Sequence, residues 1–150
     1  MALDDHIRIL AGVGLFAGFT PDQLRLLAFG AEAMSLPAGR KLYREEDDAD
    51  SAYIVVRGKV RLFRENEGEP VEVGTAEPGA TLGEMALIAD TRRLTSAEAA
   101  TDAEVLRINR SMFRRILEEY PETAEALRDR VIEDLQALIR RIEEVGERLG

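Results

Sequence analysis

The chain contains no cysteine. Disulfides, Cys-ligated iron–sulfur clusters and Cys-ligated zinc are therefore excluded within it. It contains one histidine, His6. A single imidazole does not build the multi-histidine metal sites of small β-barrel enzymes, and any Ser–His–Asp set would have to run through His6. No metal site and no catalytic residue are expected. His6 itself reads as an exposed residue at a helix start. No stretch reaches about 18 consecutive apolar residues, so no membrane span is expected. The start Met1-Ala2-Leu3-Asp4-Asp5-His6 lacks the basic region of a signal peptide, and a cytoplasmic location follows as the expectation. Positive charge is scarce too: the formal net charge is −9. Non-specific nucleic-acid binding rests on Lys and Arg neutralising phosphates, so direct binding to nucleic acid is not expected. An anionic small ligand would need a local positive site working against this global field.

What is present suits one folded domain. The 150 residues are 45% hydrophobic and 33% charged, which argues against disorder. The pattern divides into N-terminal helices over 1–32, a β-rich region over 33–109 and C-terminal helices over 110–149. Leu3 to Leu10 predicts a short helix, and Gly12 and Gly14 interrupt it. Leu15 to Phe19 is an apolar turn. Thr20 can cap a second helix whose first position suits Pro21, and this helix runs to about Gly30.

From Ala33 onward short strands alternate with turn signals. Ala52 to Val56 reads as a buried strand, and Lys59-Val60-Arg61-Leu62 alternates polar and apolar. Asn66 to Pro70 reads as a loop before Val71-Glu72-Val73. Gly39, Gly58 and Gly79 mark turns. Leu82 to Asp90 has a helical pattern, and Thr95 to Ala100 and Ala103 to Ile108 close the set as strands. The acidic run Glu45 to Asp50 lacks the Gly-centred calcium-loop pattern and reads as a solvated loop. Strands at this spacing suggest a small barrel or jelly roll. After Asn109, Ser111 to Tyr120 predicts one helix, stopped by Pro121, and Glu122 to Leu149 predicts a long one.

The chemically informative stretch is Leu82 to Ala97. Gly83 permits close backbone approach, and Met85-Ala86-Leu87-Ile88 can form a helical turn with free N–H groups at its start. Such N–H groups suit an anion. Arg93 can return to the same place, and a guanidinium beside free amides clamps phosphate well. Glu84 would repel phosphate and makes better sense as the acceptor for a sugar hydroxyl.

Gly83, Glu84, Met85, Ala86 and Leu87, followed at fixed spacing by Arg93 and Ser96, resemble the phosphate-binding cassette of cyclic-nucleotide-binding domains. These are the cAMP and cGMP sensors of catabolite-activator-type regulators, cyclic-nucleotide-dependent kinases and gated channels. Gly39, Tyr53, Gly58 and Gly79 fall where that family has its β-roll turns and strand residues. The resemblance covers roughly Leu15 to Glu119. It implies a mainly β fold, a double-stranded β-helix or jelly-roll-like β-roll, with N-terminal helices and a long C-terminal helix. It also implies roles: Arg93 pairs with the cyclic phosphate, Glu84 accepts the ribose 2′-hydroxyl, and the backbone of Gly83 to Ala86 cradles the phosphate. Ser96 bonds phosphate or base, and Val73, Leu82 and Met85 line the pocket. The ligand is cAMP or cGMP, and no other cofactor is implied. Three positions depart from the family pattern: Leu82 replaces phenylalanine, Arg92 replaces proline and Thr95 replaces alanine.

Val131, Leu135, Leu138, Ile142, Val145 and Leu149 form a coiled-coil-like seam on the last helix. Ile132 and Ile139 widen it, which suggests packing on two surfaces at once. In the family the matching helix caps the base and often mediates dimers. The expected function is a cyclic-nucleotide sensor that signals through this helix to a second copy or a partner protein. No catalytic or DNA-binding domain of its own is expected within the chain. The rival reading is an interaction module of the same fold that no longer binds nucleotide. An enzyme of cupin-like architecture is disfavoured by the shortage of ligating side chains.

Overall fold

The computed structural model describes residues 3–66 and 69–149. Met1, Ala2, Glu67, Gly68 and Gly150 lie outside the described residues, as do the side chains of Asn66, Glu147, Arg148 and Leu149.

Helix α1 spans Leu3–Ala11 and buries Leu10 and His6 on one face. His6 is 8% exposed, which corrects the expectation of a solvent-facing residue. Four positions separate it from Leu10, so helical periodicity turns both inward. A 3-10 turn, Gly14–Phe16, follows. Helix α2, Pro21–Gly30, begins with a capping box. Thr20 Oγ1 accepts from the Gln23 amide at 3.2 Å, and Gln23 Oε1 accepts from the Thr20 amide at 2.8 Å.

Among the described residues ten strands follow: β1 Glu32–Leu36, β2 Lys41–Tyr43, β3 Asp48–Ala49, β4 Ser51–Arg57, β5 Val60–Asn66, β6 Glu69–Ala76, β7 Thr81–Leu82, β8 Thr91–Arg92, β9 Ser96–Ala99 and β10 Ala103–Asn109. One antiparallel sheet runs β1-β10-β4-β7, a second runs β2-β9-β5-β6, and β3 pairs with β8 as a small ribbon. The loop expected at Asn66 to Pro70 is shorter than that, because Asn66 pairs with Glu69 and Glu65 with Pro70. The architecture is the expected β-roll of jelly-roll type with flanking helices.

β4 explains how the layers join. Its residues Ser51 to Val55 are all buried. Alternation sends Ala52 and Ile54 to one core and Tyr53 and Val55 to another. The first core lies under the helices and includes the rings of Phe16, Phe19 and Phe113, whose centroids are 5.2–6.5 Å apart. The second lies between the two sheets and includes Leu62, Leu82, Ala97 and Val105. β10 splits the same way, with Leu106 and Ile108 under the helices and Val105 between the sheets. A strand covered on both faces reads as a continuous apolar run.

Helix α3, Arg110–Glu119, is capped by the Asn109 side chain. Helix α4, Pro121–Leu149, follows. Gln23 Nε2 ties α2 to α4 through Thr123 Oγ1 at 3.1 Å. Val131 is fully buried in the core beneath the helices, and Val145 is also buried. Leu135 and Leu138 face the cleft described below. Among the described residues of the seam, Val131 and Val145 are therefore buried within this chain while Leu135, Leu138 and Ile142 stay half-buried. Ile132 and Ile139 remain 40% and 39% exposed. No helix among the described residues is long and apolar enough to cross a membrane.

Candidate functional site

A cleft of about 710 Å³ opens between the β-roll and α4. Its floor is built from β7, the turn that follows and β8, with Tyr43 and Leu62 from the second sheet. Pairing of Leu82 with Tyr53 and of Thr81 with Ile54 places β7 beside β4. Gly83 then turns left-handed, with φ 69° and ψ 32°, and caps a 3-10 turn over Glu84–Leu87. The helical stretch expected over Leu82 to Asp90 contracts to this turn. Leu82 is held in a strand, and the Gly83 conformation prevents a helix from starting earlier.

A side chain on Gly83 would collide with Arg93 Nη1. The absent Cβ is thus the seat of the guanidinium. Arg93 is 6% exposed. Its Nη2 donates to the Ser51 carbonyl at 2.8 Å, and its guanidinium carbon lies 4.3 Å from the Tyr43 ring centre and 5.6 Å from that of Tyr53. Both backbone groups of Arg93 are pinned by the acidic loop. Its N–H donates to Asp47 O at 2.8 Å, and its carbonyl accepts from the Glu46 amide at 2.9 Å. In the run Glu45 to Asp50, Glu46, Asp47, Asp48 and Asp50 are exposed as expected of a solvated loop, while its backbone clamps Arg93, with Glu46 itself at φ 73°.

Two donors of Arg93, Nε and Nη1, are buried without a hydrogen-bond partner among the described residues, and so is Glu84 Oε2. Leaving such groups unmatched costs about 1–3 kcal/mol each, more for charged ones. Burial, then the neighbouring charge of Asp134, pushes the Glu84 carboxyl up to about 7. Arg141 opposes that rise. Both Asp134 and Arg141 belong to α4. The Tyr43 phenol is pushed up to about 12 by burial, against Arg93 and a hydrogen bond from Thr95. The arrangement presents a fixed cation with unused donors and a carboxyl with an unused acceptor in one cleft. Chemically that suits a ligand carrying an anionic oxygen group and a hydroxyl donor.

The cleft gathers Leu82, Gly83, Glu84, Met85 and Arg93 from the expected site. Three expected residues stand elsewhere. The Ala86 amide is spent on Gly83 O at 3.1 Å, and its side chain is fully buried. Ser96 is also fully buried, and its hydroxyl accepts from the Glu45 amide at 2.9 Å. Val73 is half-buried on β6 and does not line the cleft. Arg92 lies at the mouth with its side chain 69% exposed, 3.9 Å from Asp48. Sequence reasoning missed Tyr43, the Ser51 carbonyl, Asp134 and Arg141. All lie far from the motif in sequence and carry no local signal.

The family model described as "Cyclic nucleotide-binding domain" matches residues 33–120. A cyclic nucleotide-gated potassium channel of Mesorhizobium japonicum is 33% identical over 126 residues, which are 84% of this chain and 34% of the channel. The cyclic AMP receptor protein of Thermus thermophilus is 30% identical over 119 residues, 79% of this chain and 55% of the receptor. This chain thus spans about a third and about half of those two relatives. Among solved structures, a cyclic nucleotide-binding-like protein from Brucella abortus is 61% identical with a TM-score of 0.70, covering 77% of this chain and 99% of that one. The matched residues contain the whole floor of the cleft, including Arg93 in the seat of Gly83, and the chain belongs to the cyclic nucleotide-binding domain family.

Proposed function

We propose that this chain is a non-enzymatic cytoplasmic sensor that binds cAMP or cGMP in the cleft between the roll and α4. The observation that carries this reading is Arg93. A guanidinium is held rigidly at the Gly83 seat with two donors unused, in a protein of net charge −9. A singly charged cyclic phosphate supplies two anionic oxygens for such a fork. Glu84 accepts the ribose 2′-hydroxyl. Leu135 and Leu138 of α4 offer the base an apolar cover.

Signalling through α4 follows from its position. Its residues Asp134 and Arg141 act electrostatically on Glu84. A ligand engaging Glu84 therefore changes what α4 packs against, and the equilibrium between helix placements shifts by that difference. The exposed Ile132, which does not line the cleft, gives α4 an outward apolar position for a second copy or a partner protein. Arg92, the departure from the family's proline, is accommodated as a strand residue opposite Asp48 in the β3–β8 ribbon.

Titration calorimetry with cAMP and with cGMP tests the reading. Saturable heat with either, lost in Arg93→Ala, is expected. Absence of both heat and thermal shift at millimolar ligand would sink it in favour of an interaction module.

A further inference from the structure

Arg110, the first residue of α3, reaches back from the helical layer to the site-bearing segment. Its Nη1 donates to the carbonyls of Ala89 at 2.9 Å and Ala49 at 3.1 Å, with Ala86 O at 3.5 Å. Its Nη2 pairs with the Asp90 carboxylate at 2.6 Å, and its backbone N–H donates to Asp50 O at 2.8 Å. Ala86 O and Ala89 O lie at the exit of the Glu84–Leu87 turn, where the last C=O groups have no partner within the turn itself, whereas Ala49 O belongs to β3. The planar fork joins these carbonyls, through Nη1, to the Asp90 carboxylate, through Nη2, in one fixed geometry that a point-like ammonium does not reproduce.

The ends of the segment are held by a second arginine. Arg93 sits against Gly83 and donates to Ser51 O. Residues 49–51 therefore carry both arginines, through Ala49 O and Asp50 O on one side and Ser51 O on the other. The segment from Gly83 to Arg93 is thus tied to one three-residue stretch of the β3–β4 junction twice, where its ends meet through Arg93 and at its middle through Arg110. Arg110 does not line the cleft.

We propose that Arg110 is a positioning residue for the nucleotide site. It holds the exit of the Glu84–Leu87 turn at the separation from Ser51 that lets Glu84 and Arg93 share the cleft. It also carries any movement of that turn into the start of α3. The inference rests on the nucleotide-binding function proposed above. A role confined to general stability would loosen the surrounding strands as much as the turn.

Hydrogen exchange and calorimetry on the full chain, wild type against Arg110→Lys and Asp90→Ala, separate these cases. Asp90 is 96% exposed in its side chain, so its truncation leaves the core intact and serves even where Arg110→Lys folds poorly. Without ligand, Arg110→Lys is expected to speed exchange at residues 86–93 about ten-fold while β4 and β10 stay as in wild type. Asp90→Ala should show the same pattern at smaller size. With ligand, affinity for cAMP or cGMP should fall about ten-fold in Arg110→Lys. Saturating ligand should also slow exchange at residues 111–116 in wild type but much less in the variant. Unchanged exchange at 86–93, or an equal rise across β4 and β10, overturns the proposal. A wild-type chain that gives no heat with either nucleotide defeats the proposed function, whereas the exchange pattern still supports or overturns the positioning of the turn.

Discussion

The guanidinium of Arg93 lies 4.3 Å over the ring of Tyr43, on β2 of the second sheet. Tyr43 thus supplies a rigid, apolar and weakly attractive floor beneath a charge whose unused donors point to ligand chemistry. This pairing separates what Arg93 does for stability from what it does for binding.

Arg93→Ala should weaken cyclic-nucleotide binding by about 2–5 kcal/mol, the range for removing one partner of a buried charge pair. The melting temperature of the ligand-free protein should change little. Losing the Ser51 hydrogen bond and the ring contact is offset by removing two unsatisfied buried donors. Calorimetry and thermal unfolding of the same sample check both halves. A large loss of ligand-free stability would contradict the argument.

Gly83→Ala should abolish most binding. The new Cβ meets Arg93 Nη1, and the φ of 69° is unfavourable for any residue with a Cβ by about 1–2 kcal/mol. Gly58→Ala is the matched control. Its φ is 78°, and its Cβ would meet the backbone of Asp102 and Ala103, remote from the cleft. That variant should lose about 1–3 kcal/mol of stability while the folded fraction binds with unchanged affinity. Denaturant midpoints and calorimetry distinguish the two glycines.

Glu84 makes ligand-free stability depend on pH in an uncommon direction for a carboxyl. Burial raises its folded pKa from the ordinary 4.5 to about 7. The folded state then binds more protons than the unfolded chain between those values. Its contribution is complete below about pH 4.5 and is lost as pH rises to about 7. The difference in melting temperature between wild type and Glu84→Gln should shift in favour of the variant across that window. A difference that stays flat from pH 4.5 to 7.5 would rule out this behaviour.

The same carboxyl should report on the ligand. A hydroxyl donating to Glu84 favours its ionised form, so binding near pH 6–7 should release a proton. Calorimetry in buffers of different ionisation enthalpy reads this directly. Glu84→Gln should remove the release and weaken binding.

Much of the frame was legible as local pattern. Thr20 and Pro21 announce α2, and the alternation over Lys59 to Leu62 follows from one buried face. Gly39, Gly58 and Gly79 adopt the positive φ that their turns require. The ordered spacing from Gly83 to Arg93 identifies the family before any contact is known.

The rest depended on tertiary structure, for physical reasons that particular residues show. Every residue has a carbonyl, so no sequence pattern marks Ser51 O or Ala49 O as the acceptors that orient Arg93 and Arg110. The acidic run Glu45 to Asp50 looks solvated in isolation, yet its backbone pins Arg93 once β3 meets β8. On the face of α4 that looks like a dimer seam, Val131 is buried in this chain's own core. His6 is buried because α1 is docked, which its own sequence does not dictate. By itself, then, the sequence determined which side chains carry the chemistry and the turn that presents them. Only the folded chain decided what holds them in place, because those partners are backbone groups and distant side chains that meet through sheet pairing and helix docking.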